Sequence, residues 1–170
     1  PFDLNNGRAY KTGDFSTHVR ALNCYYKAIE ENLLSCTIWN YTADNTNKRG
    51  DQWNGEDFSI FSYDQQNNSN NINSGGRGLK GFVRPYPNKI AGKPLSMDFN
   101  LENRIFKFKF KNNPQIKAPT EIFIPKYQYP NGYNVSLSAG NYEINYEEQQ
   151  LKVKNFSTSE VITVEVTPKR

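Results

Sequence analysis

The sequence predicts two kinds of structure in series: an α/β unit, in which a helix runs into a buried strand, and then an all-β sandwich. Three observations carry this. Val19, Leu22, Tyr26, Ile29 and Leu33 recur at helical spacing. Residues 34–41, Leu-Ser-Cys-Thr-Ile-Trp-Asn-Tyr, are short, apolar and partly β-branched, as a strand buried on both faces is. From Gly81 onward, short strand-like runs are separated by Pro, Gly and Asn.

In order along the chain, residues 2–14 read as irregular, with turn signals at Asn6-Gly7 and Gly13-Asp14. The helix that follows has about four turns, and Ser16 or Thr17 can cap it by accepting from amides of the first turn. Residues 42–79 are rich in Asn, Asp, Gly, Ser and Gln, with Trp53, Phe58, Ile60 and Phe61 embedded. A loop of this length is functional or disordered. Its first half reads as functional, and residues 65–73, almost entirely Gln, Asn and Ser, as a mobile loop. Strands are expected at residues 82–86, 95–101, 105–111, 120–124, 133–138, 141–146, 150–154 and 161–166. The domain division is therefore 1–80 and 81–170. A single helix and strand cannot cover each other's apolar faces, so the first part is expected to pack on neighbours that this chain does not contain. The absence of an initiator Met before Pro1 leads to the same expectation.

A length of 170 residues suits one ordinary domain, or a small domain plus part of another. Hydrophobic residues make up only 36%, but 11 Phe, 11 Tyr and 2 Trp bury much surface apiece. The net charge of +4 is spread along the chain; the one dense basic run, Lys107, Lys109 and Lys111, alternates with Phe106, Phe108 and Phe110. That is strand periodicity with Lys outward. No nucleic-acid partner is expected, and a membrane-surface contact is the lesser reading of the stripe. Cys24 and Cys36 make no metal site; they suit free buried thiols, with a bridge between them the alternative. A single histidine, His18, excludes a Ser-His-Asp triad and a His-rich metal centre. Neither metal nor cofactor is expected. No apolar run reaches the roughly 20 residues that span a bilayer, and no signal-peptide pattern is present.

The densest constellation of chemistry-bearing residues is Trp39, Asn40 and Tyr41, then Asp44 and Asn45, then Asp51, then Trp53, Asn54, Gly55, Glu56 and Asp57. A sugar presents an apolar C–H face that an indole covers and a rim of hydroxyls that carboxylates and amides hydrogen-bond. Candidate substrate-binding residues are Trp39, Asn40, Asp44, Asn45, Trp53, Asn54, Glu56 and Asp57. Each has a plainer reading: Trp39 as core, Glu56 and Asp57 as caps of a turn. A calcium loop at residues 44–51 is disfavoured by its ligand spacing.

Several stretches resemble glycoside hydrolase family 5, in the branch of endoglycoceramidases and eukaryotic glucosylceramidases and sterylglucosidases. They are Pro1-Phe2-Asp3, residues 33–45 (Leu-Leu-Ser-Cys-Thr-Ile-Trp-Asn-Tyr-Thr-Ala-Asp-Asn), residues 50–59 (Gly-Asp-Gln-Trp-Asn-Gly-Glu-Asp-Phe-Ser), Gly75-Gly76-Arg77 and Val83-Arg84-Pro85-Tyr86-Pro87. The likeness is strong to about Gly92 and looser beyond, where it rests on strand pattern and residues 119–125.

The resemblance implies that residues 1–80 are the end of a (β/α)8 (TIM) barrel, its last helix–strand unit, with residues 34–38 as the eighth strand. Trp39 is then the platform under the sugar at the cleavage point, and Asp44, Asn45 and residues 53–57 line the mouth of the pocket. It also implies hydrolysis with retention by two Glu residues about 5 Å apart. Neither falls within this chain, which contains no catalytic residue and alone is expected to be inactive.

The reading that follows is the C-terminal chain of a retaining β-glycosidase acting on a glycolipid such as glucosylceramide or a steryl glucoside. Its partner is the N-terminal chain of the same precursor, carrying the catalytic glutamates. The alternative is a non-catalytic β-sandwich module that binds carbohydrate or a lipid surface. Sequons at Asn40, Asn67, Asn134 and Asn155 favour a lysosome-like or secreted location over the cytoplasm, and Asn40 should be unmodified inside the site.

Overall fold

The computed structural model describes residues 6–154 and 160–169. The Pro1-Phe2-Asp3 match and the Asn155 sequon lie outside the described residues. The chain forms two compact units, one holding the chain up to Cys24 together with Cys36–Phe82, the other Tyr25–Ser35 and Val83–Arg170.

The second unit is an antiparallel sandwich of eight strands among the described residues: β1 (Tyr86–Lys89), β2 (Gly92–Asn100), β3 (Ile105–Asn112), β4 (Thr120–Phe123), β5 (Tyr133–Leu137), β6 (Asn141–Asn145), β7 (Gln150–Lys154) and β8 (Val161–Pro168). One sheet has the order β1-β4-β7-β6, the other β2-β3-β8-β5. The Phe/Lys alternation of β3 does what its period of two dictates. Phe106, Phe108 and Phe110 are fully buried with Ile162, Val164 and Val166 of β8, and Ile122, Leu151 and Val153 of the facing sheet complete the core. On the outer face Lys107 pairs with Glu165 at 3.2 Å and Lys111 with Glu160 at 2.7 Å. The predicted strand at 82–86 is displaced: residues Leu79–Phe82 form a short helical turn, and the strand starts at Tyr86, after Pro85.

Tyr25–Ser35, the end of a helix, belongs to this unit through a buried ion pair. Arg84 donates from Nε to Glu30 Oε1 at 2.7 Å and from Nη2 to Glu30 Oε2 at 3.1 Å. The same Nη2 reaches the Phe99 carbonyl at 2.9 Å, and the Phe99 amide donates to Glu30 at 3.2 Å. The guanidinium lies over the Phe99 and Tyr26 rings. Burial pushes the Glu30 carboxyl up, against the pull of Arg84 and the Phe99 amide.

The first unit contains α1 (Asn6–Thr12), a helix where the sequence reading expected only turns, and most of α2 (Ser16–Glu31). The cap of α2 is Asp14 rather than Ser16 or Thr17: its Oδ1 accepts from the Ser16 amide at 3.0 Å, which also lowers its pKa. At the other end Leu33 takes a left-handed φ of 53° and the Leu34 amide donates to Ile29 O at 2.9 Å, closing the last turn.

The expected buried strand after this helix is not formed. Residues 34–41 carry no strand, and Leu34, Ile38, Trp39 and Tyr41 are exposed, as are both cysteines, which are free. No helix–strand barrel unit is therefore evident among the described residues. The physical reason lies in the neighbours rather than the composition of the segment: an interior strand of a parallel sheet is stabilised by ladders on both sides, and no described strand offers it one. Residues 65–73, expected to be a structureless loop, are folded into turns by their own side chains: Ser74 Oγ accepts from the amides of Asn67 and Asn68, each at 3.0 Å, and donates to Asn67 Oδ1 at 2.9 Å.

Candidate functional site

The loop between Asn40 and Arg77, within the first unit, is built on two buried charged side chains. The first is Asp51. Its Oδ1 accepts from the Trp53 amide at 3.1 Å; its Oδ2 accepts from Asn40 Nδ2 and from the Phe58 amide, each at 3.0 Å. Its own amide donates to the Glu56 carbonyl at 3.1 Å. The turn that brings these groups together needs Gly50, whose φ is 62° and where a Cβ would run into the Glu56 carbonyl. Asn40 and the segment beyond Phe58 exchange backbone bonds, Ile60 N to Asn40 O at 2.9 Å and Asn40 N to Phe58 O at 3.4 Å. The Trp39–Asn40 peptide is cis.

The second is Arg77. It donates from Nη1 to Asp57 Oδ1 at 2.6 Å and to the Ser59 carbonyl at 3.2 Å, and from Nη2 to Asp57 Oδ2 at 3.1 Å and to Asn47 Oδ1 at 2.6 Å. Its Nε donates to Gln65 Oε1 at 3.0 Å, so every donor of the fork is used. Its guanidinium lies 4.2 Å from the centroid of the Tyr10 ring, and the Tyr10 hydroxyl donates to the Asp57 carbonyl at 2.6 Å. Burial, then the Asp57 charge, raises the Tyr10 phenol to about 12. Burial, then Arg77, holds His18 below its ordinary value; its ring meets Phe15 edge-on.

The eight sequence-derived candidates fall into two groups on this scaffold. Trp39 is 62% exposed and Trp53 58% exposed. Asn54 is exposed with a φ of 50°, and Asp44 is exposed, its carboxylate accepting from Gln52 Nε2 at 3.0 Å. Glu56 is half-buried. The other three are engaged within the chain: Asn40 by Asp51, Asp57 by Arg77, and Asn45, fully buried, by donating from Nδ2 to the Phe61 carbonyl at 2.9 Å. Asn45 Oδ1 is left without a hydrogen-bond partner.

Trp39, Ile38, Asp57, Arg77, Tyr10 and His18 line a hollow of about 60 Å³, far short of the several hundred Å³ of a small-molecule pocket. Trp53 and Asn54 do not line it. Among the described residues no three His, Cys, Asp or Glu side chains gather as metal ligands, and no helix is long and apolar enough to cross a membrane. Asp51 and Arg77 are not among the eight residues to which the sequence assigns substrate binding. The signals were there: Asp51 stands inside the Asp/Asn/Trp cluster, and Arg77 follows two glycines.

Residues 84–166 match the family model described as Glycoside hydrolase family 5 C-terminal domain. Among curated proteins the chain is similar to a glucosylceramidase of Rhizopus delemar, 37% identical over 144 residues covering 77% of this chain and 21% of that protein. It is 29% identical to an ergosteryl-beta-glucosidase of Saccharomyces cerevisiae, covering 89% of this chain and 27% of that one. The chain thus spans about a fifth to a quarter of the length of these relatives. Among solved structures it superposes on sterylglucosidase 1 of Cryptococcus neoformans with a TM-score of 0.86 at 29% identity, over 99% of this chain and 28% of that one. A looser likeness, of fold alone, is to endo-glycoceramidase II from Rhodococcus sp., with a TM-score of 0.63 at 19% identity and 89% of this chain covered. The sandwich is a glycoside hydrolase family 5 C-terminal domain, and the chain belongs to that family among proteins named glucosylceramidase, ergosteryl-beta-glucosidase and endoglycoceramidase.

Proposed function

We propose that this chain is the C-terminal part of a retaining β-glycosidase that hydrolyses a glycolipid of the glucosylceramide or steryl glucoside type. The observation that carries the reading is Trp39, an exposed indole at the end of an exposed apolar segment and directly before a loop locked by Asp51 and Arg77. A rigid loop that holds a large apolar ring in solvent is costly unless something covers the ring, and the C–H face of a sugar does so.

In this reading residues 1–80 complete a (β/α)8 barrel, with residues 34–38 as its eighth strand. Their exposed Leu34 and Ile38 then meet the rest of that barrel. The acid/base and nucleophile glutamates lie on the N-terminal part, as a separate chain of one precursor or on the same polypeptide. Asp44, Trp53, Asn54 and Glu56 stand around the mouth, with Asn40, Asn45 and Asp57 as its frame. The sequons, of which Asn134 lies exposed on an edge strand, support a lysosome-like or secreted setting.

The test is glucose release by the full-length protein from glucosylceramide and from a steryl glucoside, beside the same assay on the 170-residue chain alone. Turnover of at least one lipid by the former and neither by the latter is expected. Release of glucose by the 170-residue chain, or none by a folded full-length protein, overturns the reading.

A further inference from the structure

We infer that Asp51 is a positioning residue that sets the two exposed indoles of this chain together, and that Trp53 is the platform for an apolar aglycone. The inference rests on the glycolipid reading above and deepens it. One carboxylate, itself only 7% exposed, is the meeting point of both segments that carry a tryptophan. One oxygen takes the backbone amide of Trp53; the other takes the side-chain amide of Asn40, the residue after Trp39. That second oxygen also holds the Phe58 amide, which belongs to the segment whose Ile60 amide bonds the Asn40 carbonyl. Three donors converge on a charged acceptor, an arrangement that a neutral amide of the same shape cannot match, since one of its two positions donates.

The two indoles differ in what surrounds them. Trp39 lines the hollow that Arg77 and Asp57 also border. Trp53 stands away from it, followed by Asn54 and Gly55 at a turn with left-handed φ values of 50° and 70°. A Cβ built on Gly55 would meet nothing within 4 Å, so the tip of the turn is open. An indole fixed by its backbone in an open setting offers contact area and little hydrogen bonding, which is what a sterol or a hydrocarbon chain can use. Asp51 thereby fixes where an aglycone platform lies relative to the sugar platform, and positioning errors of about 1 Å are costly to turnover.

The experiment compares kcat/KM of the full-length protein on a lipid glucoside and on a water-soluble aryl β-glucoside for wild type, Trp53→Ala, Asp51→Asn and the double variant. Trp53→Ala, a change at an exposed side chain, is expected to cost the lipid substrate at least tenfold more than the aryl substrate, mainly through KM. Asp51→Asn is expected to slow both substrates, with the larger loss on the lipid. Adding Trp53→Ala to it should cost the lipid reaction less than it does in wild type, because both act through one indole. Equal losses on the two substrates for Trp53→Ala, or an Asp51→Asn protein that melts earlier with unchanged kinetics, would overturn the inference while leaving the glycosidase reading in place. A wild-type protein that cleaves neither substrate would remove the reading and the inference with it.

Discussion

The sandwich and the loop unit are held together by opposite means. In the sandwich, Phe99, Phe106, Phe108, Ile162, Val164 and Val166 are fully buried and the charges of β3 and β8 stay on the outer face, the Arg84–Glu30 pair being the buried exception. Its stability depends on volume and apolar area. In the loop unit the inner positions are taken by Asp51, Arg77, Asn45 and Ser62, and the large apolar rings Trp39, Tyr41 and Trp53 are outside. Its order depends on saturated hydrogen bonding to charged groups, which specifies a geometry more sharply than packing of interchangeable aliphatic side chains does.

Substitutions that separate volume from charge sharpen this contrast. The largest effect is expected from Phe108→Ala, which empties a fully buried ring site between the sheets. It should cost roughly 3–5 kcal/mol, read as a shift in the urea midpoint of the sandwich transition. In the loop unit the damaging change is one that keeps shape and drops charge. Asp57→Asn removes the carboxylate from the buried Arg77 fork and should cost roughly 1.5–3 kcal/mol, with Tyr10 and Trp53 reporting the loss by fluorescence. An isosteric change in the sandwich, Leu151→Met, should cost less than about 1.5 kcal/mol. If Asp57→Asn proves as mild as Leu151→Met, the loop unit does not depend on its buried charges.

The smallest effect expected is the pH dependence that His18 gives the loop unit. The folded His18 has a pKa below its ordinary 6.5, first through burial and then through Arg77. The unfolded chain therefore binds the proton more readily, and stability from this group is present above pH 6.5 and falls as the pH drops through the folded value. Urea midpoints between pH 7.5 and 5 should show the loop transition weakening, and His18→Phe should flatten that part of the slope.

How much of this was legible in the sequence follows the same division. Apart from the displaced β1, the strands of the sandwich could be read to within a few residues, because the Phe/Lys alternation of β3 and the Val/Ile alternation of β8 encode a face as well as an element. The helix α1 was hidden by its own Asn6-Gly7 start, a pair that signals turns more often than helices. Residues 34–41 have the composition of an interior strand, but a strand of that kind is conferred by its neighbours, and none is described for it. In the loop the residue types were visible while their directions were not. Asp44 and Asp57 look alike in sequence; one is exposed at the surface and the other faces a buried guanidinium. Only the fold decides which polar residue is scaffold and which faces solvent.

The most direct test of the account is the kinetics of Trp39→Ala in the full-length protein, measured with its melting temperature. An exposed indole that stacks on the sugar should, when removed, lower kcat/KM on every β-glucoside by roughly 30- to 1000-fold, about 2–4 kcal/mol at the transition state, with little change in Tm. Wild-type kinetics with a Tm drop of the size a core tryptophan gives, about 3–5 kcal/mol of lost stability, would show that Trp39 is packing surface and would contradict the carbohydrate reading at its centre.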